Sequence, residues 1–451
     1  MKRICAVSFF VAFCLPIFPI RAYSAVETIS FLKSDRVLVI APHPDDETLG
    51  AGGLIRSAVE AGAEVKILYL THGDHNEIAS IFYQKRPLVV KSDFLKSGQI
   101  RKEEAVAAMA ALGLSKGHLV FLGYPDFGTL AIWRKHWGSA KPFRSFLTRI
   151  NKDLYREDLS YGNPYRGENI VKDFEKVIAS FRPTQVFVTP PFDLNPDHRA
   201  AYLYLQVALL DLENTVSPEK VYCYLIHAHK WPQPKKYLPE NPLEPPPHAS
   251  LNEALDWIKR PLTARQVQLK NKALSNYKSQ SYSKDFLFSF VRSNELFFEM
   301  PYEALKKEMA GESIGQDIPD EVPRGKEVIY RRIGDELWAD VSLNSPLDEL
   351  GAFNMEVFGY KKGAPFLSMP KINLRLFGNQ LSVRLGYHTL DRASIPYYLG
   401  KKRIWIRVPM SLLKYPDTLF VSVRTAREEI SLDFGSWKVL KIQAPSDKLS
   451  K

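Results

Sequence analysis

Five apolar runs in the first half of the chain, Arg36–Ile40, Val65–Leu70, His118–Leu122, Gln185–Thr189 and Val221–Ile226, each end in a polar cluster. In order, the clusters read "APHPDDE", "THGDH", "GYPDFG", "PPFDLNPDH" and "HAH". Segments with helical patterning lie between the runs: Leu49–Ala61, Arg101–Leu112, Glu168–Phe181 and His198–Leu210. This alternation predicts an α/β unit, Rossmann-like, with a mostly parallel sheet and helices on both faces. In open sheets of that kind ligands sit beyond the carboxyl ends of the strands, so the five clusters predict one convergent site.

The first cluster packs His43, Asp45, Asp46 and Glu47 into five positions after a buried strand, where like charges repel; a cation relieves that repulsion. Taken with His198, the cluster supplies histidines and a carboxylate, the donor set of a catalytic zinc that keeps one position open. Adjacent aspartates can divide the work. One coordinates, and its neighbour faces the water as general base. A structural zinc site would be rich in cysteine, whereas only Cys223, in the strand-like "KVYCYLI", remains once a leader holding Cys5 and Cys14 is removed.

"PHPDDETLGAGG" and "NPDHRAA" resemble the PIG-L or LmbE-like zinc-dependent N-deacetylases, whose members remove acetyl groups from N-acetylglucosamine-bearing compounds. Supporting segments from residue 35 to 300 include "THGD", "FLGYPDFGTL" and "KNKALSNYKSQ". The resemblance implies His43, Asp46 and His198 as ligands of Zn2+, Asp45 as general base, Asn195 and Asp197 as further catalytic residues, and Arg101, Asp126 and His72 near the substrate. Glu47 reads as a residue supporting the helix start. One departure matters: the family's second motif often reads His-Pro-Asp-His, and this chain has Asn195 at the first position. Asparagine can donate to an oxyanion but cannot deliver a proton. Either Asp45 carries both proton transfers, or His72, His75, His227 or His229 replaces the missing imidazole.

At 451 residues the chain exceeds one domain. Lys2 and Arg3, the apolar stretch Ile4–Ile20 and small residues near Ala25 predict a signal peptide over 1–25, hence a secreted or periplasmic protein with no stable membrane span after cleavage. The deacetylase-like unit is expected over 26–302, with an excursion from about Asp126 to Asn163 over the site and seven prolines between Pro232 and Pro247. A basic helix is expected from about Thr263 to Gln280, and a linker over 303–325. From 326 to 445 the hydrophobic period is two, as in "INLRLFGNQLSVRLGY", which predicts a β-sandwich; 446–451 is a tail.

The net charge of +11 falls to +8 without Lys2, Arg3 and Arg21, and suits anionic polymers or membrane surfaces. The basic residues are scattered rather than striped, which argues against nucleic acid. Burial is the expected fate of Trp133, Trp137 and Trp231, with stacking on sugar rings as the alternative. The expected substrate is an N-acetylated amino sugar in a glycan or glycolipid. The rival readings are another exported zinc amidase or esterase, and a catalytically impaired glycan-binding protein.

Overall fold

The computed structural model describes residues 28–74, 91–247, 255–301, 303–305, 307–308, 327–343, 345–346, 351–378, 380–386, 388–427, 430–431 and 436–443. The leader read at 1–25, His75 and most of the segment read as a linker lie outside them.

Five parallel strands, β1 (Arg36–Ala41), β2 (Glu64–Thr71), β3 (Leu119–Tyr124), β4 (Gln185–Val188) and β5 (Lys220–Cys223), form the core of the first unit. Two further strands, β6 (Ile258–Pro261) and β7 (Asn294–Glu299), extend the sheet antiparallel, giving the order β3-β2-β1-β4-β5-β7-β6. β1 pairs in parallel with both β2 and β4. Order therefore reverses beside β1, and the crevice opens at the ends of β1 and β4, where an α/β sheet presents its ligand site. The apolar runs of β1 and β2 are buried because helices cover both faces of a parallel sheet.

Among the described residues the α-helices are α1 (Asp46–Glu60), α2 (Lys91–Leu112), α3 (Thr129–Lys135), α4 (Gly167–Phe181), α5 (Pro196–Asp211), α6 (Ala264–Leu274) and α7 (Lys284–Phe288). α1 and α2 pack on α6, while α3 and α4 pack on α5. α1 begins at the motif itself, three residues before the sequence pattern placed it, so Asp46 and Glu47 occupy its first turn and meet the positive end of its dipole. The glycines of "LGAGG" permit close approach. A Cβ on Gly50 would lie 2.1 Å from the Tyr224 ring, and one on Gly53 would lie 2.5 Å from Leu262. Buried Glu295 then accepts from the backbone N–H groups of Gly53 and Leu54 at 2.7 and 2.8 Å, with Lys270 Nζ 2.7 Å away. The basic helix is shorter than its sequence pattern: α6 starts at a capping box formed by Thr263 and Gln266 and stops at Leu274.

The second unit is a sandwich of a five-stranded and an eight-stranded sheet among the described residues. Its core takes the alternate residues the sequence pattern selected, including Leu374, Leu376, Leu381 and Val383. Its sheets begin earlier than the sequence reading placed them, because Glu303–Leu305 pairs with Trp437–Ile442 and Lys307–Glu308 pairs with Glu327–Ile333. Strands as short as these first two carry too little periodicity to be recognised.

The two units share a core. Trp133, on α3, is fully buried among Tyr204 and Trp137 of the first unit and Phe358, Phe366, Phe420 and Trp437 of the second, with ring centroids 5.2–5.8 Å apart. Trp133 is thus an interior residue, not a sugar platform, and Trp137 is buried beside it. Trp133→Ala should cost about 3–5 kcal/mol, read as a lower urea midpoint for the whole chain; an unchanged midpoint would show that the ring does not join the units.

Candidate metal centre and catalytic cavity

β1 ends at Ala41, and residues 42–45 turn the chain into α1. Asp45 adopts φ 119°, a conformation L side chains rarely accept and one that persists only where the surroundings impose it. Here they do. His43 N–H donates to Asp46 Oδ2 at 2.9 Å, and Asp45 N–H to Glu47 Oε2 at 3.1 Å. Arg101, on α2, donates to the carbonyls of Pro44 and Gly73 at 2.7 and 2.9 Å and reaches Asp45 Oδ2 at 3.1 Å. Gly73 makes room for it, since a Cβ there would lie 1.9 Å from Arg101 Nη1. Arg101, placed near substrate by the sequence resemblance, does line the cavity, but its guanidinium chiefly clamps the turn that presents Asp45.

Three donor atoms converge beside that turn. His43 Nδ1, Asp46 Oδ2 and His198 Nε2 form a triangle with edges of 3.1, 3.0 and 3.3 Å. Ligands of a tetrahedral ion bound at about 2.0–2.2 Å stand about 3.3–3.6 Å apart, so the set fits a small divalent metal with little adjustment. Each imidazole also has a carboxylate behind its other nitrogen. Asp126 Oδ1 lies 3.0 Å from His43 Nε2, and Asp193 Oδ2 lies 3.3 Å from His198 Nδ1, which has no aligned hydrogen bond. That pairing fixes the ring and raises its basicity in metal sites.

Asp193 was not singled out in the sequence. It lies five residues before His198 in the same cluster, and it also accepts from the N–H groups of Asn195, Ile226 and His227, tying the loops after β4 and β5 together.

The structure reassigns two residues. Asp197 is wholly buried and does not line the cavity: its carboxylate accepts from Phe127 N–H at 2.5 Å and from Thr129 N–H and Oγ1 at 3.0 and 2.5 Å, with His43 Nε2 3.4 Å away. It anchors the start of α3 and backs His43, so it positions rather than reacts. His72 is also buried away from the cavity; it contacts Asp158 Oδ2 at 2.6 Å and stacks on Phe121. Its place after β2 suggested the site, but the ring lies in a packed layer beneath it.

Asp45, Asp46, Glu47, Asp126, Asp193 and Asp197 are all buried, against one guanidinium and two imidazoles. Burial pushes the Asp45 carboxyl up to about 8 against the pull of Arg101, with Asp46 and Glu47 adding to the rise. Burial likewise raises Glu47 to about 7, although Thr48 and the Tyr277 hydroxyl donate to it. For the ligands, charge pairing outweighs burial: Asp46 is held well below the usual carboxylate range by His198 and His43, and His198 is raised to about 9 by Asp193 and Asp46. A cluster so rich in buried carboxyl groups suits a cation.

A cavity of about 1020 Å³ opens onto the triangle and reaches Asp45, Asp126 and Asn195. Its walls include Phe127 and Phe146 from the excursion, Trp231 from the proline-rich segment, and Tyr282 and Phe286. Asn195 caps α5, its side-chain oxygen accepting from Asp197 N–H at 2.8 Å, which leaves the amide nitrogen as its donor. His227 lines the cavity, 4.8 Å from His198 between ring centroids and stacked on Phe286. Burial lowers His227 to about 4, so its ring is neutral at pH 7. His229 is exposed and does not line the cavity; β5 ends at Cys223, so strand alternation no longer relates the two rings.

Residues 38–209 match the family model described as PIG-L, GlcNAc-PI de-N-acetylase. This region is a PIG-L family domain. Relatives of the PIG-L domain include the 1D-myo-inositol 2-acetamido-2-deoxy-alpha-D-glucopyranoside deacetylase of Mycobacterium sp. (strain KMS), 40% identical over 138 residues, which are 30% of this chain and 42% of that protein. The enzyme of the same name from Mycolicibacterium smegmatis is 33% identical over 122 residues, 27% of this chain and 39% of that one. The chain thus spans about two fifths of the length of these relatives. A solved structure with a similar fold is the N,N'-diacetylchitobiose deacetylase from Pyrococcus horikoshii, with a TM-score of 0.34 and 20% identity, covering 59% of this chain and 84% of that one. His43, Asp46 and His198 all fall inside the PIG-L domain, whereas His227, Tyr282 and Phe286 lie beyond it.

Because Asp193 lies behind His198, Asp193→Ala should lower the affinity of the donor triangle for an added divalent cation about 10- to 100-fold, measured by competition with a chromogenic chelator. Wild-type affinity in that variant would show that the pairing does not tune the site.

Proposed function

We propose that the PIG-L domain is a zinc-dependent hydrolase that removes the acetyl group from an N-acetylglucosamine-type amino sugar in a glycan or glycolipid, and that the chain is exported. The observation that carries the reading is the donor triangle of His43, Asp46 and His198 with the Asp45 carboxyl beside it in an open cavity. The deacetylases among its relatives support the amide as the scissile bond, and the Lys2–Arg3 pair followed by Ile4–Ile20 supports export. Aromatic faces at the cavity wall suit pyranose rings.

His43, Asp46 and His198 would hold the zinc, which supplies Lewis acidity, polarising a carbonyl oxygen and acidifying water toward neutrality. Asp45, fixed in its strained turn by Arg101, accepts the proton of the attacking water as its oxygen bonds to the acetyl carbon. The Asn195 amide and the neutral His227 ring are donors on the cavity wall beside the ligand triangle, suited to the developing oxyanion. Collapse breaks the carbon–nitrogen bond and releases acetate and a free amine. Neither Asn195 nor a neutral His227 is an acid of useful strength, so Asp45 returns the proton to the departing nitrogen.

Asp45→Asn should retain zinc and lose turnover by at least about 100-fold, followed as acetate released from N-acetylglucosamine oligomers beside zinc content by elemental analysis. Retained turnover would remove Asp45 from the mechanism. His227→Ala should lower kcat by about 10- to 1,000-fold with zinc still bound; an unchanged kcat would leave the oxyanion to Asn195 alone.

A further inference from the structure

The outer face of the eight-stranded sheet is divided in two. Phe358, Phe420 and Trp437 on one part close against Trp133, while the neighbouring part stays open and carries arginine, asparagine and serine side chains among apolar ones. Strand alternation turns Phe353, Met355, Leu374 and Val383 into the sandwich core, and the residues between them face out. Register places those outward residues in rows. Arg424 stands opposite Asn354, Asn354 opposite Arg375, and Arg375 opposite Ser382; in the adjacent row Asn373 stands opposite Arg384. This floor meets a wall formed by Arg134 and Lys135 at the end of α3, enclosing a groove of about 640 Å³ that Lys414 also lines. Glu356, the one carboxylate among the groove's described residues, pairs with Arg134 at 2.9 Å, so its charge is already matched.

We propose that this groove binds an acidic polysaccharide through its carboxylates. Guanidinium groups present a planar fork that matches a carboxylate in two parallel hydrogen bonds. The asparagine and serine side chains between them offer the donors and acceptors that sugar hydroxyls need. Arg424 and Arg375 are two strands apart, about 10 Å, so a chain lying across the strands meets a guanidinium at intervals rather than one point charge. One short element runs from the groove to the backing of the donor triangle. α3 begins where Asp197 takes the N–H groups of Phe127 and Thr129 behind His43 and ends in the groove wall, about 10 Å along its axis. The site is separate from the catalytic cavity and does not depend on the deacetylase reading.

The test uses the full chain and polygalacturonate oligomers, which carry a carboxylate on every ring and no acetamido group to engage the catalytic cavity. The same oligomers with their carboxylates reduced are the neutral control. The wild type should bind the acidic oligomers with an affinity that falls as salt rises, and the reduced ones at least about tenfold more weakly. Arg375→Glu with Arg384→Glu should weaken binding at least about tenfold, and the milder Arg375→Gln with Arg384→Gln should fall between. Arg265→Glu with Lys272→Glu, the same change of charge on exposed positions of the first unit, should bind as wild type. Equal binding by the groove variants, equal binding of the reduced oligomers, or a DNA duplex of matched length binding as tightly as polygalacturonate would each overturn the proposal. Acetate release from a small N-acetylated sugar, read in parallel, should be unchanged in the groove variants. Absence of that release in the wild type would count against the deacetylase reading and leave the binding result standing.

Discussion

Six carboxyl groups buried within one crevice set the terms for everything around them. Charges taken out of water must be paired, hydrogen-bonded or neutralised. Several partners share that role in this chain. His43 and His198 stand between pairs of carboxylates, Arg101 meets Asp45, and backbone N–H groups at the starts of α1, α3 and α5 serve Asp46, Asp197 and the Asn195 cap. What that distribution leaves over is a triangle of donor atoms with carboxylates on every side, the environment in which a divalent cation is favoured. The strain at Asp45 belongs to the same arrangement. Its unusual φ is tolerated because Arg101, Glu47 and the first turn of α1 hold the backbone on both sides.

The second unit is built into the first rather than strung after it. Trp133 fills a space walled by side chains of both, and its seven-residue helix meets Asp197, behind His43, at one end and the sheet groove at the other. Damage to that packing therefore reaches the backing of His43 through Asp197. This physical continuity explains why the sandwich face opposite Trp133 is aromatic although it lies on the outside of its own sheet.

Much of the fold was legible along the chain. Five strands, most of the helices and the alternating sandwich core follow from periods of 3.6 and 2 that burial enforces locally. The antiparallel strands β6 and β7 and the short strand Glu303–Leu305 were not, because the first and last are only four and three residues long and β7 is buried at five successive positions, so none shows a period. The site divides the same way. His43, Asp46 and His198 were legible because their motifs are compact. Asp197 in the second motif and His72 in the cluster after β2 face packed interior, and Asp193 could be distinguished from neighbouring aspartates only by where the loop folds.

The sequence by itself determined the layered α/β unit, the chemical types gathered at the strand ends and the period-two sandwich, since each rests on patterns a few residues long. Tertiary structure decided which carboxylate faces the cavity, which backs an imidazole and which caps a helix, and it decided that Arg101 clamps a turn and that His227 rather than His229 reaches the site. Those roles depend on atoms brought within about 3 Å from segments more than fifty residues apart. No local pattern encodes such distances.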